Sequence, residues 1–208
     1  QRTSLLPKLY FLHGFLGDVQ DWNEVIKRLP EYECHALKYP FKLPKDGILI
    51  GYSMGGRIAL GSSLPKIVIS GHPGLQTEEQ KELQVEKENY WIEKLKSVPL
   101  QEFLHEWYAQ PLFTSLRQNP LFPKLLERRL KQDPLELIDQ IKRHSLAQQP
   151  YMPQNAYFIH GAYDQAYKEL YKKLDIPSYE IPKAGHACHI ENPAEVARQI
   201  KILINKIN

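Results

Sequence analysis

Between Ile48 and Leu60 the chain reads Ile-Leu-Ile-Gly-Tyr-Ser-Met-Gly-Gly-Arg-Ile-Ala-Leu, and this run limits the possible folds more than any other. Ile48, Leu49 and Ile50 supply a strand, and Arg57-Ile58-Ala59-Leu60 supply a helix. Between them, Gly51-Tyr52-Ser53-Met54-Gly55-Gly56 carries Gly-x-Ser-x-Gly, the pattern of a sharp strand-to-helix turn with an exposed serine. Small residues two before and two after the serine let such a turn pack tightly. The bare pentapeptide is weak evidence, because chance produces it; its strand and helix flanks make it specific.

The surrounding pattern agrees with a sheet of parallel strands joined by helices. Strands are expected at Lys8–Leu12, Cys34–Leu37, Gly47–Gly51 and Lys66–Ser70, with a helix at Asp21–Leu29 whose Trp22, Val25, Ile26 and Leu29 share one face. From Leu75 to about Gln149 only helical periodicity remains, broken by Pro99, Pro111, Pro120, Pro123 and Pro134. Thr77-Glu78-Glu79-Gln80 is a capping box, and Asp133-Pro134 pairs an N-cap with proline at the first helical position. Strands return at Ala156–Ile159 and Tyr179–Ile181. A final helix starts at Asn192-Pro193, with Val196, Ile200, Leu203 and Ile207 toward the core. The expected division is a core of residues 1–75 and 151–208 with a helical lid of residues 76–150.

A serine hydroxyl is unreactive at neutral pH until an imidazole takes its proton. In this architecture the acid precedes the histidine along the chain. Asp164 follows the strand ending at Ile159-His160-Gly161, and His186 follows the next one through Lys183-Ala184-Gly185, so Ser53, Asp164 and His186 are the expected triad. His189 is the rival base on the same loop, and His160, at a strand end, reads as structural. After the first strand, His13-Gly14-Phe15 makes a tight turn; the backbone N–H groups of Phe15 and Met54 are the expected oxyanion hole. Arg57 lies one helical turn beyond Ser53, on the same helix face. A guanidinium there needs an anionic partner. Either a buried ion pair satisfies it or it clamps a carboxylate of an acidic substrate, the preferred reading.

Composition excludes several other classes. The net charge of +3 is too small to imply nucleic acid. The densest basic stretch, Arg128, Arg129 and Lys131, falls on a helix among Leu125, Leu126 and Leu130, where a solvated face is the default. Cys34 and Cys188 are far apart, with neither disulfide-framework nor metal-ligand spacing. No nucleotide, flavin or metal motif is present, so no cofactor is expected. The short lead before the first strand and the lack of a long apolar run make a cytoplasmic protein the expectation, without membrane attachment.

These residues resemble an α/β-hydrolase family, the 2-succinyl-6-hydroxy-2,4-cyclohexadiene-1-carboxylate (SHCHC) synthases. The similarity extends through His13-Gly14-Phe15-Leu16-Gly17 with Asp21-Trp22, the elbow through Arg57, His72-Pro73-Gly74-Leu75, Trp107-Tyr108 with Pro111-Leu112-Phe113, Ser145-Leu146-Ala147 with Gln149-Pro150, and Ala184-Gly185-His186 with Glu191-Asn192-Pro193. The lid matches are the most specific, since generic esterases share only the elbow. The resemblance implies an α/β-hydrolase fold with a mostly parallel sheet of about six strands and an inserted helical lid. It also implies a lyase of menaquinone biosynthesis whose triad abstracts a proton and expels pyruvate from a cyclohexene bearing several carboxylates. On the same grounds Tyr52, Trp107, Phe113 and Arg129 should line the site beside Arg57.

Two positions depart from the family pattern. A lid arginine of some members falls at Asn89, beside Glu88. Only about ten residues separate Leu37–Lys38 from Gly47, where the family has a loop and a whole helix and a parallel crossover normally needs a dozen residues or more. Loss of that helix would leave the sheet partly uncovered, unless the loop takes another route. A monomer or weak homo-oligomer is expected. A serine hydrolase acting on a small acidic ester or thioester remains the alternative activity, and a non-catalytic binding protein on the same fold a third possibility.

Overall fold

The computed structural model describes residues 5–207; the expected core boundaries at residues 1 and 208 lie outside them. Strands β1 (Leu9–Leu12), β2 (Cys34–Leu37), β3 (Ile48–Tyr52), β4 (Lys66–Ile69), β5 (Ala156–Gly161) and β6 (Ser178–Ile181) form one sheet in the order β2-β1-β3-β4-β5-β6. All five pairings are parallel. The central strands β3 and β4 are buried on both faces, as their continuous apolar runs require.

Between β1 and β2 the expected helix over Asp21–Leu29 is instead a 3-10 turn, Val19–Trp22, leading into a single α-helical turn, α1 (Asn23–Ile26). Asp18 starts it earlier than the apolar periodicity indicated. Its carboxylate accepts from Gln20 N at 2.8 Å, while its own N–H donates to Asp21. Trp22, Val25 and Leu29 are nevertheless buried as one face. Helix α2 (Met54–Leu60) links β3 to β4 on the opposite side of the sheet.

Five helices without an intervening strand follow: α3 (Glu78–Ser97), α4 (Leu100–Tyr108), α5 (Thr114–Arg117), α6 (Phe122–Arg129) and α7 (Pro134–Arg143). The Thr77 capping box and the Asp133 cap both form. Helix α8 (Gln165–Lys173) joins β5 to β6. A short α9 (Cys188–Glu191) precedes α10 (Pro193–Ile207), whose Val196, Ile200, Leu203 and Ile204 are fully buried. Each such side chain contributes about 1.5–3 kcal/mol of transfer free energy. No helix among the described residues is long and apolar enough to cross a membrane.

The crossover from β2 to β3, residues 38–47, contains no helix. The sheet is not left bare. Phe41 and Leu43 of the loop pack with Tyr10 and Leu37 against Leu12, Leu49 and Ala59, so an extended segment supplies apolar cover itself. Phe41 also meets the His13 ring edge-on at 5.0 Å, and the Tyr39 hydroxyl lies 3.0 Å from His144 Nε2. The loop thus reaches the C-terminal end of α7.

Candidate active site

Ser53 sits at φ 50° and ψ −114°, a left-handed conformation that costs a non-glycine residue energy and that the neighbouring packing must hold. Glycine on either side makes this possible. A Cβ on Gly51 would strike the Gly55 carbonyl, and one on Gly55 would strike the Leu12 carbonyl of β1. The serine therefore stands at the carboxyl end of the central strand. Helix α2 begins at the next residue, so the Met54 N–H has no partner within its own helix.

The loops after β5 and β6 are tied together by backbone bonds. Ala162 N donates to Ile181 O and Tyr163 N to Ala184 O, both at 2.8 Å. This brings Asp164 to His186 across 22 residues of sequence, with Asp164 Oδ2 2.8 Å from His186 Nδ1. The other carboxylate oxygen caps α8 by accepting from Tyr167 N, which fixes the plane of the group. The two side chains are 1% and 3% exposed, so the pair is almost wholly buried. The His186 ring is wedged among Tyr167, Tyr52 and Phe113 at centroid distances of 4.9, 5.4 and 5.8 Å. Ser70 Oγ donates to the His186 carbonyl and Gly185 N to Glu191 Oε1, holding the loop.

Ser53 and His186 face a common cavity of about 270 Å³, together with Phe15, Met54, Arg57, Trp107 and Phe113. No hydrogen bond joins Ser53 to the His186 ring among the described residues, and such contacts commonly tighten only when substrate is bound. Phe15 leans on Trp107 at 4.9 Å, and Trp107 on Trp91 at 4.9 Å, giving the cavity an aromatic wall.

Arg57 has no carboxylate partner among the described residues. Its Nη1 donates to the His144 carbonyl at 2.7 Å and to Gln149 Oε1 at 3.2 Å, and Gln149 Nε2 in turn donates to the His72 carbonyl. Burial lowers its pKa from the usual arginine range. Neutral oxygens orient this cation and no carboxylate is in ion-pair contact with it, so a direct buried ion pair is not formed, although the nearby Glu88 favours its charged form through space. The guanidinium is left able to meet an anion.

Two expected site residues are placed elsewhere. Arg129 is 4% exposed and lies outside the cavity wall. It forms a bidentate pair with Asp21 at 3.0 and 2.8 Å, and its Nε donates to Tyr108 OH at 3.1 Å. Burial alone would raise the Asp21 pKa, but Arg129 beside it wins and lowers it. This pair, with Arg128, fastens lid helix α6 to the Asp18–Trp22 turn. Arg128 and Arg129 are thus engaged by the carboxylates of Asp18 and Asp21, while Lys131 is exposed. Tyr52 is also outside the wall, its ring packed behind the cavity at 4.2 Å from His189. His189 is fully buried, both of its ring nitrogens lack partners, and burial pushes its pKa down to about 3. It does not line the cavity that holds Ser53. His160 contacts Ser178 and Glu180 on the far sheet edge, a structural role.

The sequence patterns do not single out several other residues of the wall. Gln84, Lys87, Glu88 and Trp91 present one face of α3, at helical spacing, and Gln140, Ile141, His144 and Leu146 close the other side. Asn89 is not in the wall; the cation of this helix there is Lys87. Glu88 is engaged by the lid itself, accepting from Ser145 Oγ at 2.5 Å and Leu146 N at 3.0 Å. The spacing of 84, 87, 88 and 91 was visible in the sequence, but its orientation was not. Among the described residues no cluster of His, Cys, Asp or Glu is arranged to hold a metal.

A model of the α/β hydrolase family matches residues 11–199. The 2-succinyl-6-hydroxy-2,4-cyclohexadiene-1-carboxylate synthases of Escherichia coli O17:K52:H18 and of Enterobacter sp. strain 638 are each 30% identical to this chain. The matches cover 92% of it and 91% and 89% of those proteins. Each runs over 230 aligned positions, more than the 208 residues present here, so the relatives carry residues with no counterpart in this chain. Among solved structures, MenH from S. aureus superposes with a TM-score of 0.85 at 20% identity, covering 98% of this chain and 95% of that one. A malate-bound thermophilic esterase from Thermogutta terrifontis gives 0.71 at 19% identity, covering 97% and 90%, so the fold is shared beyond the synthases. By family-wide match and by full-length similarity, the chain belongs to the α/β hydrolase family and, within it, to the 2-succinyl-6-hydroxy-2,4-cyclohexadiene-1-carboxylate synthases.

Proposed function

We propose that the protein is a cytoplasmic, cofactor-independent carbon–oxygen lyase of menaquinone biosynthesis that converts 2-succinyl-5-enolpyruvyl-6-hydroxy-3-cyclohexene-1-carboxylate into SHCHC and pyruvate, with Ser53, Asp164 and His186 as its triad. The observation that carries this reading is Arg57: a guanidinium without a carboxylate partner, one turn from Ser53, in the wall of the same cavity. A substrate with several carboxylates matches it.

The chemistry follows from the groups present. The C2 proton lies next to the succinyl ketone and is acidified by it. His186 takes the Ser53 proton, and the serine oxygen removes the proton from C2. The C2–H electron pair forms the C2–C3 double bond, the C3–C4 pair shifts to C4–C5, and the C5–O bond breaks. The leaving enolate of pyruvate takes up a proton. Charge that gathers on the ketone oxygen is met by the N–H groups of Phe15 and Met54. Asp164 holds the imidazole tautomer and stabilises its protonated form. Trp107 and Phe113 exclude water from the ring.

Pyruvate release from this substrate, followed by a coupled dehydrogenase, tests the reading. Turnover should be present in the native protein and lost in Ser53→Ala. Rapid ester hydrolysis through a covalent acyl group on Ser53, without pyruvate release, would replace it with a hydrolase.

A further inference from the structure

Both oxygens that hold Arg57 come from one short turn of the chain. Its Nη1 donates to the His144 carbonyl and to Gln149 Oε1, and these residues stand at either end of Ser145 and the 3-10 turn Leu146–Gln148. Glu88 of lid helix α3, in the wall of the same cavity, grips that turn at its start. Its Oε1 accepts from Ser145 Oγ at 2.5 Å and its Oε2 from Leu146 N at 3.0 Å. Gln84 Nε2, one turn earlier in α3, donates to the same Oε2 at 3.0 Å. Ser145 precedes the 3-10 turn but makes no capping bond to it, so Glu88 is what satisfies the first N–H. Gln149 N in turn donates to the Leu146 carbonyl, which ties the far acceptor to the gripped end.

We infer that Glu88 is a positioning residue for Arg57: it pins segment 145–149 to α3 and so fixes both acceptors that aim the guanidinium at a carboxylate of the substrate. The inference rests on the proposed function and deepens it. An arginine has a flexible stem and donors on three nitrogens, so its direction is set by the groups it is bonded to. Among the described residues only its Nη1 is bonded, and both bonds end on this turn. Glu88 is hydrogen-bonded to three neutral donors rather than to the guanidinium, so it works through the turn.

A double-mutant cycle on pyruvate release tests this. Glu88→Ala should lower kcat/KM about tenfold, chiefly through KM, because a small displacement of the clamp weakens its hold on the carboxylate. In an Arg57→Met background the same change should cost about twofold or less, since no clamp is left to misplace. Glu88→Gln keeps an acceptor for Leu146 N and should retain most of the wild-type affinity. Ser145→Ala removes one of the bonds and should show the same coupling to Arg57 at smaller size; the cycle is read with it if Glu88→Ala does not fold. Equal losses in the two backgrounds overturn the inference and make Glu88 a structural residue of the lid. Glu88→Gln as defective as Glu88→Ala also overturns it, because charge rather than the turn would then be at work. If wild type releases no pyruvate, the proposed function fails and the inference with it, whereas release with additive losses sinks the inference alone.

Discussion

His186 Nδ1 lies 2.8 Å from Asp164 Oδ2, and the second oxygen of that carboxylate caps the helix that follows it. The acid is therefore held from two sides before any substrate arrives. Asp164→Asn keeps the shape of the cap but offers the imidazole an amide that can stabilise the wrong tautomer. We expect kcat to fall by about 10³–10⁴-fold, with far-ultraviolet circular dichroism unchanged. A loss below tenfold would remove Asp164 from the triad.

Arg57 should separate activity from stability. Its guanidinium is oriented by one carbonyl and one amide oxygen and has no anion. Replacing it by Met removes a partly buried charge that has no carboxylate in contact, so urea unfolding should show no loss of stability or a small gain. The kcat/KM for pyruvate release should drop by about 10²-fold or more, as expected when a desolvated charge pair with substrate is lost. Intact turnover in Arg57→Met would refute the carboxylate clamp.

Lys87 is exposed at the cavity wall on the same helix face as Gln84, Glu88 and Trp91. Charge reversal to Glu should raise KM by about tenfold, roughly the worth of one partly exposed ion pair together with the repulsion that replaces it. Lys87→Arg should restore most of the affinity, and kcat should change little in either variant. A KM for Lys87→Glu equal to that of wild type would place the lysine outside the substrate's reach.

Arg129 should behave in the opposite way to Arg57. Removing it by Arg129→Met leaves Asp21 buried with only Arg128 to balance it, at an expected cost of about 3 kcal/mol in unfolding free energy. Kinetic constants measured well below the melting temperature should stay near those of wild type. A large kinetic defect without destabilisation would return Arg129 to the substrate site.

The part-buried His72 and the fully buried His189 set an acid limit on stability. Burial lowers the pKa of His72 to about 4 and of His189 to about 3, from an ordinary 6.5. The unfolded chain then takes up protons on these rings below pH 6.5 that the folded chain refuses. Their contribution to stability is complete above pH 6.5 and declines as pH falls through 6.5 toward 4 and 3. The melting temperature should drop over that window. His189→Phe, which keeps the tilted ring contacts with Trp22 and Tyr52, should make the decline shallower. An identical pH dependence in the variant would show that His189 is not the cause.

Much of the fold was legible because its signals are local. The strands at 48–52 and 66–69 are short apolar runs, the turn between β3 and α2 needs its glycines, and the caps at Thr77 and Asp133 name themselves. Apolar spacing points to a helix over Asp21–Leu29, whereas the Asp18 cap starts the turn earlier, at Val19. The route of residues 38–47 was open, since a loop's path depends on which surface its Phe41 and Leu43 find. The chain order of Ser53, Asp164 and His186 pointed to the three loops that carry them.

Partners were harder than elements. Arg57 and Arg129 look alike in one dimension, each a basic residue on an amphipathic helix. Arg129 is taken up by Asp21, more than a hundred residues away, while Arg57 meets only neutral oxygens. Sequence alone established the parallel α/β architecture, the helical insertion and the serine at the strand end, because hydrophobic periodicity and glycine sterics act over a few residues. Tertiary structure alone decided which polar groups are satisfied and which face the cavity, Lys87 among them. Satisfaction of a buried polar group is a property of its neighbours in space, and those neighbours come from distant parts of the chain.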